Sequence, residues 1–212
     1  MKRERRIRLK GRAGGAGQVA GLVLNGLLRA SIGGFLADVM ANPQDPRYAG
    51  KAIPIRNLLI VGSLSELFPL LYVLDRRRGP GRRRWQRYPV WPDNLYLSIF
   101  SLDMAGNALD LYDRFKNFDL IPHYHGTGAL AAVCQRGFGW SPLAAIGVAN
   151  AIHALLEAQE YATDVFFGTH NVRGAWDSIG DLVVGVLGTV FYSGAASAQR
   201  ALSAAQRRTR QA

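Results

Sequence analysis

Carboxylates and imidazoles recur at helical spacing through the second half of this chain. Asp103, Asn107 and Asp110 stand at i, i+4 and i+7, which puts them on one face of a helix. His153, Glu157 and Glu160 repeat that spacing. Asp119 and His123 are four apart, with His125 and Thr127 following, and Asp177 and Asp181 are again four apart. Such groups support two chemistries. Imidazole nitrogens and carboxylate oxygens ligate first-row divalent metals, which nominates Asp110, His123, Glu160, Asp177 and Asp181 as a metal set. The same types pass protons near neutral pH, which nominates Asp119, His123, Glu157 and Glu160 as acid and base residues. A divalent metal is the one cofactor the pattern suggests.

The chain carries no HExxH, Walker A, GxSxG or CxxC. The stretch HNVRGAWDSIGD sets a His and an Arg near an Asp, as the last motif of membrane lipid phosphatases does. The order differs, and the other motifs of those enzymes are absent. Each residue also has a plainer use. Asp177 is placed to cap a helix, His153 to sit packed in an interior, and Arg29 and Glu66 to pair within a bundle. The lone cysteine, Cys134, lies in an apolar run and excludes an internal disulfide.

Helices long enough to hold these residues are visible in the apolar pattern. Six segments approach the length that a bilayer core demands: about 17–41, 55–74, 93–113, 121–136, 141–161 and 175–198. Ser141-Pro142 opens the fifth as N-cap and first helical residue. A soluble helix keeps a polar face at a period of 3.6 residues, and DLVVGVLGTVFYSGAASA after residue 180 has almost none. The mean hydropathy of +0.00 conceals this because the charge is segregated. Basic residues cluster at Lys2 to Arg12, Arg76 to Arg84 and Arg207 to Arg210, and the net charge is +11.

Basic clusters at the chain ends and in one loop suit a membrane better than nucleic acid, which wants them interleaved with aromatics on a folded face. With the first cluster in the cytoplasm, six spans bring the other two inside as well, as the positive-inside rule requires. Five spans would leave one outside. The expected architecture is therefore all-α: a polytopic integral membrane bundle of about six transmembrane helices spanning 17–198. Basic cytoplasmic tails at 1–16 and 199–212 flank it. The expected location is the cytoplasmic (inner) membrane of a bacterium, with the lipid bilayer as partner, anionic lipids at the arginine clusters and no nucleic acid. This threading collects Asp110, His123, Glu157, Glu160, Asp177 and Asp181 at one depth, toward the outer face.

The segments FDLIPHYHGTG, LLEAQEY and FFGTHNVRGAWDSIGDL together resemble the YjdF-like bacterial inner-membrane proteins and, more distantly, the VanZ-like family. The positions that carry the likeness are Asp119 and His123, Glu157 and Glu160, Gly168 and Thr169, then Trp176, Asp177 and Asp181. Leu120 stands where those families place a basic residue. The resemblance covers about residues 100–190 and implies a multi-span membrane protein without an assigned reaction. Two functional readings follow. In the first, an outward-facing carboxylate and His pocket binds or processes an envelope or lipid-linked compound, with a divalent metal. In the second, the protein is a non-enzymatic transporter-like or structural one whose buried charges set helix packing.

Overall fold

The computed structural model describes residues 15–48, 51, 61–74 and 88–209. The basic clusters Lys2 to Arg12 and Arg76 to Arg84, together with Arg210 and the start of the 55–74 segment, lie outside the described residues. All regular structure among the described residues is helical. The main helices are α1 (Gly15–Ala41), α2 (Leu67–Leu74), α3 (Val90–Ala108), α4 (Leu120–Gly137), α5 (Pro142–Phe167) and α6 (Ala175–Thr209), with short turns at Gly62–Leu64 and Leu111–Arg114. Helix α4 packs against α3, α5 and α6, most extensively against α6, while α1 packs on α3 and α5 on α6.

The predicted boundaries need three revisions. The 93–113 segment ends at Ala108, because Leu109 caps the helix and Asp110 turns left-handed at φ 58°, a conformation that Asp tolerates better than most side chains. Helix α5 runs on to Phe167 before Gly168 caps it. Helix α6 continues through most of the expected tail to Thr209, since Ala201, Leu202, Ala204 and Ala205 are strong helix formers. As expected, Ser141 caps α5, accepting the Ala144 N–H at 3.3 Å, with Pro142 in the first turn.

Two helices, Gly15–Ala41 and Ala175–Gln206, are long and apolar enough to cross a membrane. Polar side chains interrupt the other predicted spans: Asp93, Asn94 and Asn107 on α3, Thr127 and Gln135 on α4, His153 and Glu157 on α5, all buried. The polar faces of these helices point inward.

A buried polar lock joins α1 to α3. Asp93, fully buried, accepts hydrogen bonds on Oδ2 from Asn25 Nδ2 at 2.7 Å, Arg29 Nη2 at 2.9 Å and the Tyr88 hydroxyl at 2.6 Å. Arg29 also meets Glu66 at 2.5 Å, the pairing its sequence position suggested. Cys134 is free and buried and packs with Ala131, Ala145 and Ala149.

The α4–α6 contact is closer than side chains would allow. A Cβ built on Gly188 would lie 2.9 Å from the carbonyl carbon of Tyr124 and nearer still to its oxygen. Backbone lies against backbone there, so the neighbour cannot give way. Gly194, one to two turns on, has nothing within 4 Å of such a Cβ. Gly188→Ala should therefore destabilise the protein by about 1–3 kcal/mol, the usual cost of overpacking, and Gly194→Ala should leave it unchanged or slightly raised. Thermal unfolding of the two purified variants checks this, and equal melting temperatures would contradict the close approach.

Candidate functional site

Three helices each bring one polar turn to a common point. Asp119 caps α4 by accepting the Leu120 N–H at 3.1 Å, and His123 follows one turn later on the same face. Helix α5 contributes His153 and, one turn on, Glu157. Helix α6 enters with Asp177, Ser178 and Asp181. Gly185 then lets α6 lie against the imidazole of His153, because a Cβ there would collide with the ring.

The tightest contact is between two imidazoles. His123 Nδ1 lies 2.7 Å from His153 Nε2, with the rings stacked at 4.9 Å between centroids. Glu157 Oε1 completes a triangle at 3.5 Å from His123 Nδ1 and 3.4 Å from His153 Nε2. On its other side, His123 Nε2 lies 3.8 Å from Asp181 Oδ2. His153 and Glu157 are buried. Yet His153 Nδ1, Glu157 Oε1 and Asp181 Oδ1 are buried polar atoms without a hydrogen-bond partner among the described residues. Buried polar atoms almost always find partners; Glu157 Oε1 lies at the convergence with the two imidazole nitrogens, Asp181 Oδ1 belongs to the carboxylate beside it, and His153 Nδ1 faces Gly185 on the other side of the ring. His123, His153 and Glu157 each offer a ligand atom within 4.8 Å of the others, and so, as a second group, do Asp119, Asp177 and Asp181. Two imidazoles and a carboxylate are a fitting donor set for a first-row divalent ion.

These residues line one end of a cavity of about 510 Å³, a size that suits a small ligand. The wall at this end includes seven carboxylates, Asp103, Asp113, Asp119, Glu157, Glu160, Asp177 and Asp181, against two fixed cations, Lys51 and Arg173. Lys51 is already paired with Asp113 at 2.7 Å. The other end is apolar, walled by Leu67, Phe68, Ile99, Leu130, Val133 and Phe138.

The loop between α5 and α6 adds His170, Asn171 and Arg173 to the wall. Asp164 organises it, accepting the Thr169 hydroxyl at 2.6 Å, the Asn171 N–H at 2.9 Å and the Val172 N–H at 2.7 Å. Arg173 then ties the loop across to the α3–α4 connection, donating to the Lys116 and Tyr112 carbonyls at 2.6 and 3.0 Å and approaching Asp119, the cap of α4, at 3.7 Å.

Of the sequence-predicted residues, the structure brings His123, Glu157 and Asp181 to the point of closest convergence, and Asp119 and Asp177 beside it. Glu160 lies on the cavity wall but in neither ligand group. Asp110 stands apart from both the wall and the groups, because the chain leaves its helix just before it. His125, only two residues past His123, faces another way and contacts the Ser98 hydroxyl at 2.9 Å and the Tyr192 hydroxyl at 2.8 Å. The predicted metal and acid/base sets omitted His153, although its four-residue spacing to Glu157 was the available signal. Arg173 and Lys51 were omitted too, since nothing local marks a loop cation as facing a distant helix. No family model matches this chain, and neither a curated protein nor a solved structure matches it.

Partial burial would raise the pKa of Asp164, but the donated N–H and hydroxyl groups outweigh it and hold the carboxyl below its ordinary 3.8. A depressed carboxylate stabilises its surroundings fully above the ordinary value, and the effect fades as pH falls through the depressed one. The amides of Asn171 and Val172 should thus be protected from hydrogen exchange at neutral pH and lose protection as pH falls below 3.8. Asp164→Ala should lose roughly tenfold or more at neutral pH, the worth of one hydrogen bond to a charged acceptor. Protection independent of both pH and the substitution would contradict this role.

Proposed function

We propose that this chain is a multi-span membrane protein of a bacterial cytoplasmic membrane. Its His and carboxylate cavity opens toward the outer face, holds a divalent metal ion, and binds or processes an envelope or lipid-linked compound. The observation that carries the reading is the convergence of His123, His153 and Glu157 with unmet buried polar atoms at the polar end of the cavity.

Surface composition supports the membrane. Leu27, Leu143, Leu155, Phe166, Trp176 and Phe191 are each more than 60% exposed, and they belong to α1, α5 and α6, three separate helices. Apolar exposure on that scale is unusual for a water-facing surface and ordinary for one that faces lipid. Among the described residues only two helices carry an apolar stretch long enough to cross a membrane, yet polar faces turned inward are what helices around a polar intramembrane cavity need. The apolar arm supports an amphiphilic ligand, its chain against Phe68 and Val133 and its polar group beside the histidines. Asp119, His123, Glu157, Glu160, Asp177 and Asp181 all line this cavity, and on that pattern we extend the proposal to membership of the YjdF-like proteins.

A divalent ion at this point would supply Lewis-acid polarisation of a carbonyl or phosphoryl oxygen. The chain would orient the ligand through the apolar arm, with Glu160 on the wall to accept or return a proton. The scaffold alternative is weighed by comparison with Asp93. There a buried carboxylate collects three donors, Arg29 among them, on one oxygen and locks two helices, although its Oδ1 has no hydrogen-bond partner among the described residues; in the cavity, the ion-pair partners of Glu157 and Asp181 among the described residues are imidazoles.

Elemental analysis of purified protein after metal loading and dialysis tests the reading. The expected result is bound divalent metal in the wild type, with affinity lowered at least about tenfold by His123→Ala and by Glu157→Gln, and unchanged by His125→Ala. Wild-type protein that retains no metal, or variants that retain it equally, would overturn the proposal.

A further inference from the structure

Beside the histidine pair lies a second set of ligands that the metal at His123, His153 and Glu157 does not use. Asp119 at the start of α4 and Asp177 and Asp181 on the first turns of α6 each offer an oxygen within 4.8 Å of the others. Two of the three carboxylates are partly engaged. Asp119 Oδ1 accepts the Leu120 N–H at 3.1 Å, and Asp177 Oδ2 accepts the Arg173 N–H at 3.1 Å. The guanidinium of Arg173 is no full counter-ion, since it donates to two backbone carbonyls and stands 3.7 Å from Asp119.

Asp181 is different. Its side chain is 7% exposed, it lines the cavity, and its Oδ1 is buried without a hydrogen-bond partner among the described residues. An ionised oxygen in that position calls for positive charge. The wider wall makes the same demand, with seven carboxylates against two fixed cations.

We propose that Asp119, Asp177 and Asp181 hold a second cation, distinct from the one at the histidines and drawn from the hard ions magnesium, manganese or calcium. The donor chemistry separates the two sites. An all-oxygen set suits hard cations, while two imidazoles favour zinc and its neighbours. The sites are neighbours, because His123, which offers Nδ1 to the histidine site, has its Nε2 3.8 Å from Asp181 Oδ2. The inference rests on reading the cavity as a cation-binding one, but it does not require that the histidines be filled.

Manganese(II) binding to intact protein, followed by the electron paramagnetic resonance of the free ion, tests it. Wild-type protein already loaded with zinc should bind one further equivalent of manganese. Asp177→Asn should weaken that binding at least tenfold while zinc content stays unchanged, and the retained zinc reports that the cavity has folded. Should Asp177→Asn lose zinc as well, Asp119→Asn takes its place with the same expectation. If wild type binds no zinc but still binds manganese, and the aspartate variants abolish it while His153→Ala does not, the second site stands and the histidine site fails. Absence of manganese binding at about 1 mM, the weak end for carboxylate sites, would overturn the inference. So would aspartate variants that bind it like wild type, or loss of both metals in both variants.

Discussion

An ionisable side chain taken out of water needs a partner, and this fold meets that demand in two contrasting ways. At the α1–α3 contact one oxygen of the carboxylate is satisfied from within the chain, although Asp93 Oδ1 has no hydrogen-bond partner among the described residues. Asn25, Arg29 and Tyr88 converge on one oxygen of Asp93, so the buried charge becomes a fastening between helices. At the cavity the chain brings imidazoles to the buried carboxylates and no arginine or lysine within ion-pair distance of Glu157 or Asp181 among the described residues. Glu157 Oε1 has imidazole nitrogens at 3.4 and 3.5 Å, and Asp181 Oδ1 is buried without a hydrogen-bond partner among the described residues. Removing one member of a buried ion pair is costly, and a buried carboxylate set that meets imidazoles in place of fixed cations has room for an added one. The proposed cations are what would complete it.

That arrangement depends on how closely the helices approach. Side chains on α4, α5 and α6 reach one point because α6 has no side chain where it crosses Tyr124 and the ring of His153. With bulk at Gly188 or Gly185, α6 would stand off, and Asp181 would withdraw from His123. The loop after Phe167 closes the same end, with Asp164 folding it and Arg173 fastening it across to the α3–α4 connection. Local backbone rules, helix packing and site geometry are thus one construction, and the apolar arm behind it is what an amphiphilic ligand would occupy.

Much of this was legible in the residues. Spacings of three and four marked which side chains share a helix face, and the Ser141-Pro142 pair marked where a helix begins. The pairs Asp119/His123 and Asp177/Asp181 were readable for the same reason, because each is local. What escaped was non-local. That His123 meets His153 depends on the crossing of α4 and α5, and no periodicity reports a crossing. Asp110 looked like a continuation of the Asp103 face until the left-handed turn at Asp110 itself carried the chain away. His125 shows the converse: two residues along a helix is more than half a turn, so it serves Ser98 and Tyr192 instead. The number of spans was harder to read for a related reason. Inward-facing polar groups lower the apolarity of α3, α4 and α5, and among the described residues only α1 and α6 keep an apolar stretch long enough to cross a membrane.

The central claim is that two imidazoles and a carboxylate from different helices hold one metal ion. X-ray absorption at the zinc edge of zinc-loaded protein tests it most directly, since it reads the ligand atoms themselves. The account predicts a first shell of nitrogen and oxygen at about 2.0–2.2 Å, with outer-shell scattering from two imidazole rings that falls to one in His153→Ala. A shell of oxygen alone, or imidazole scattering that His153→Ala leaves unchanged, would contradict it.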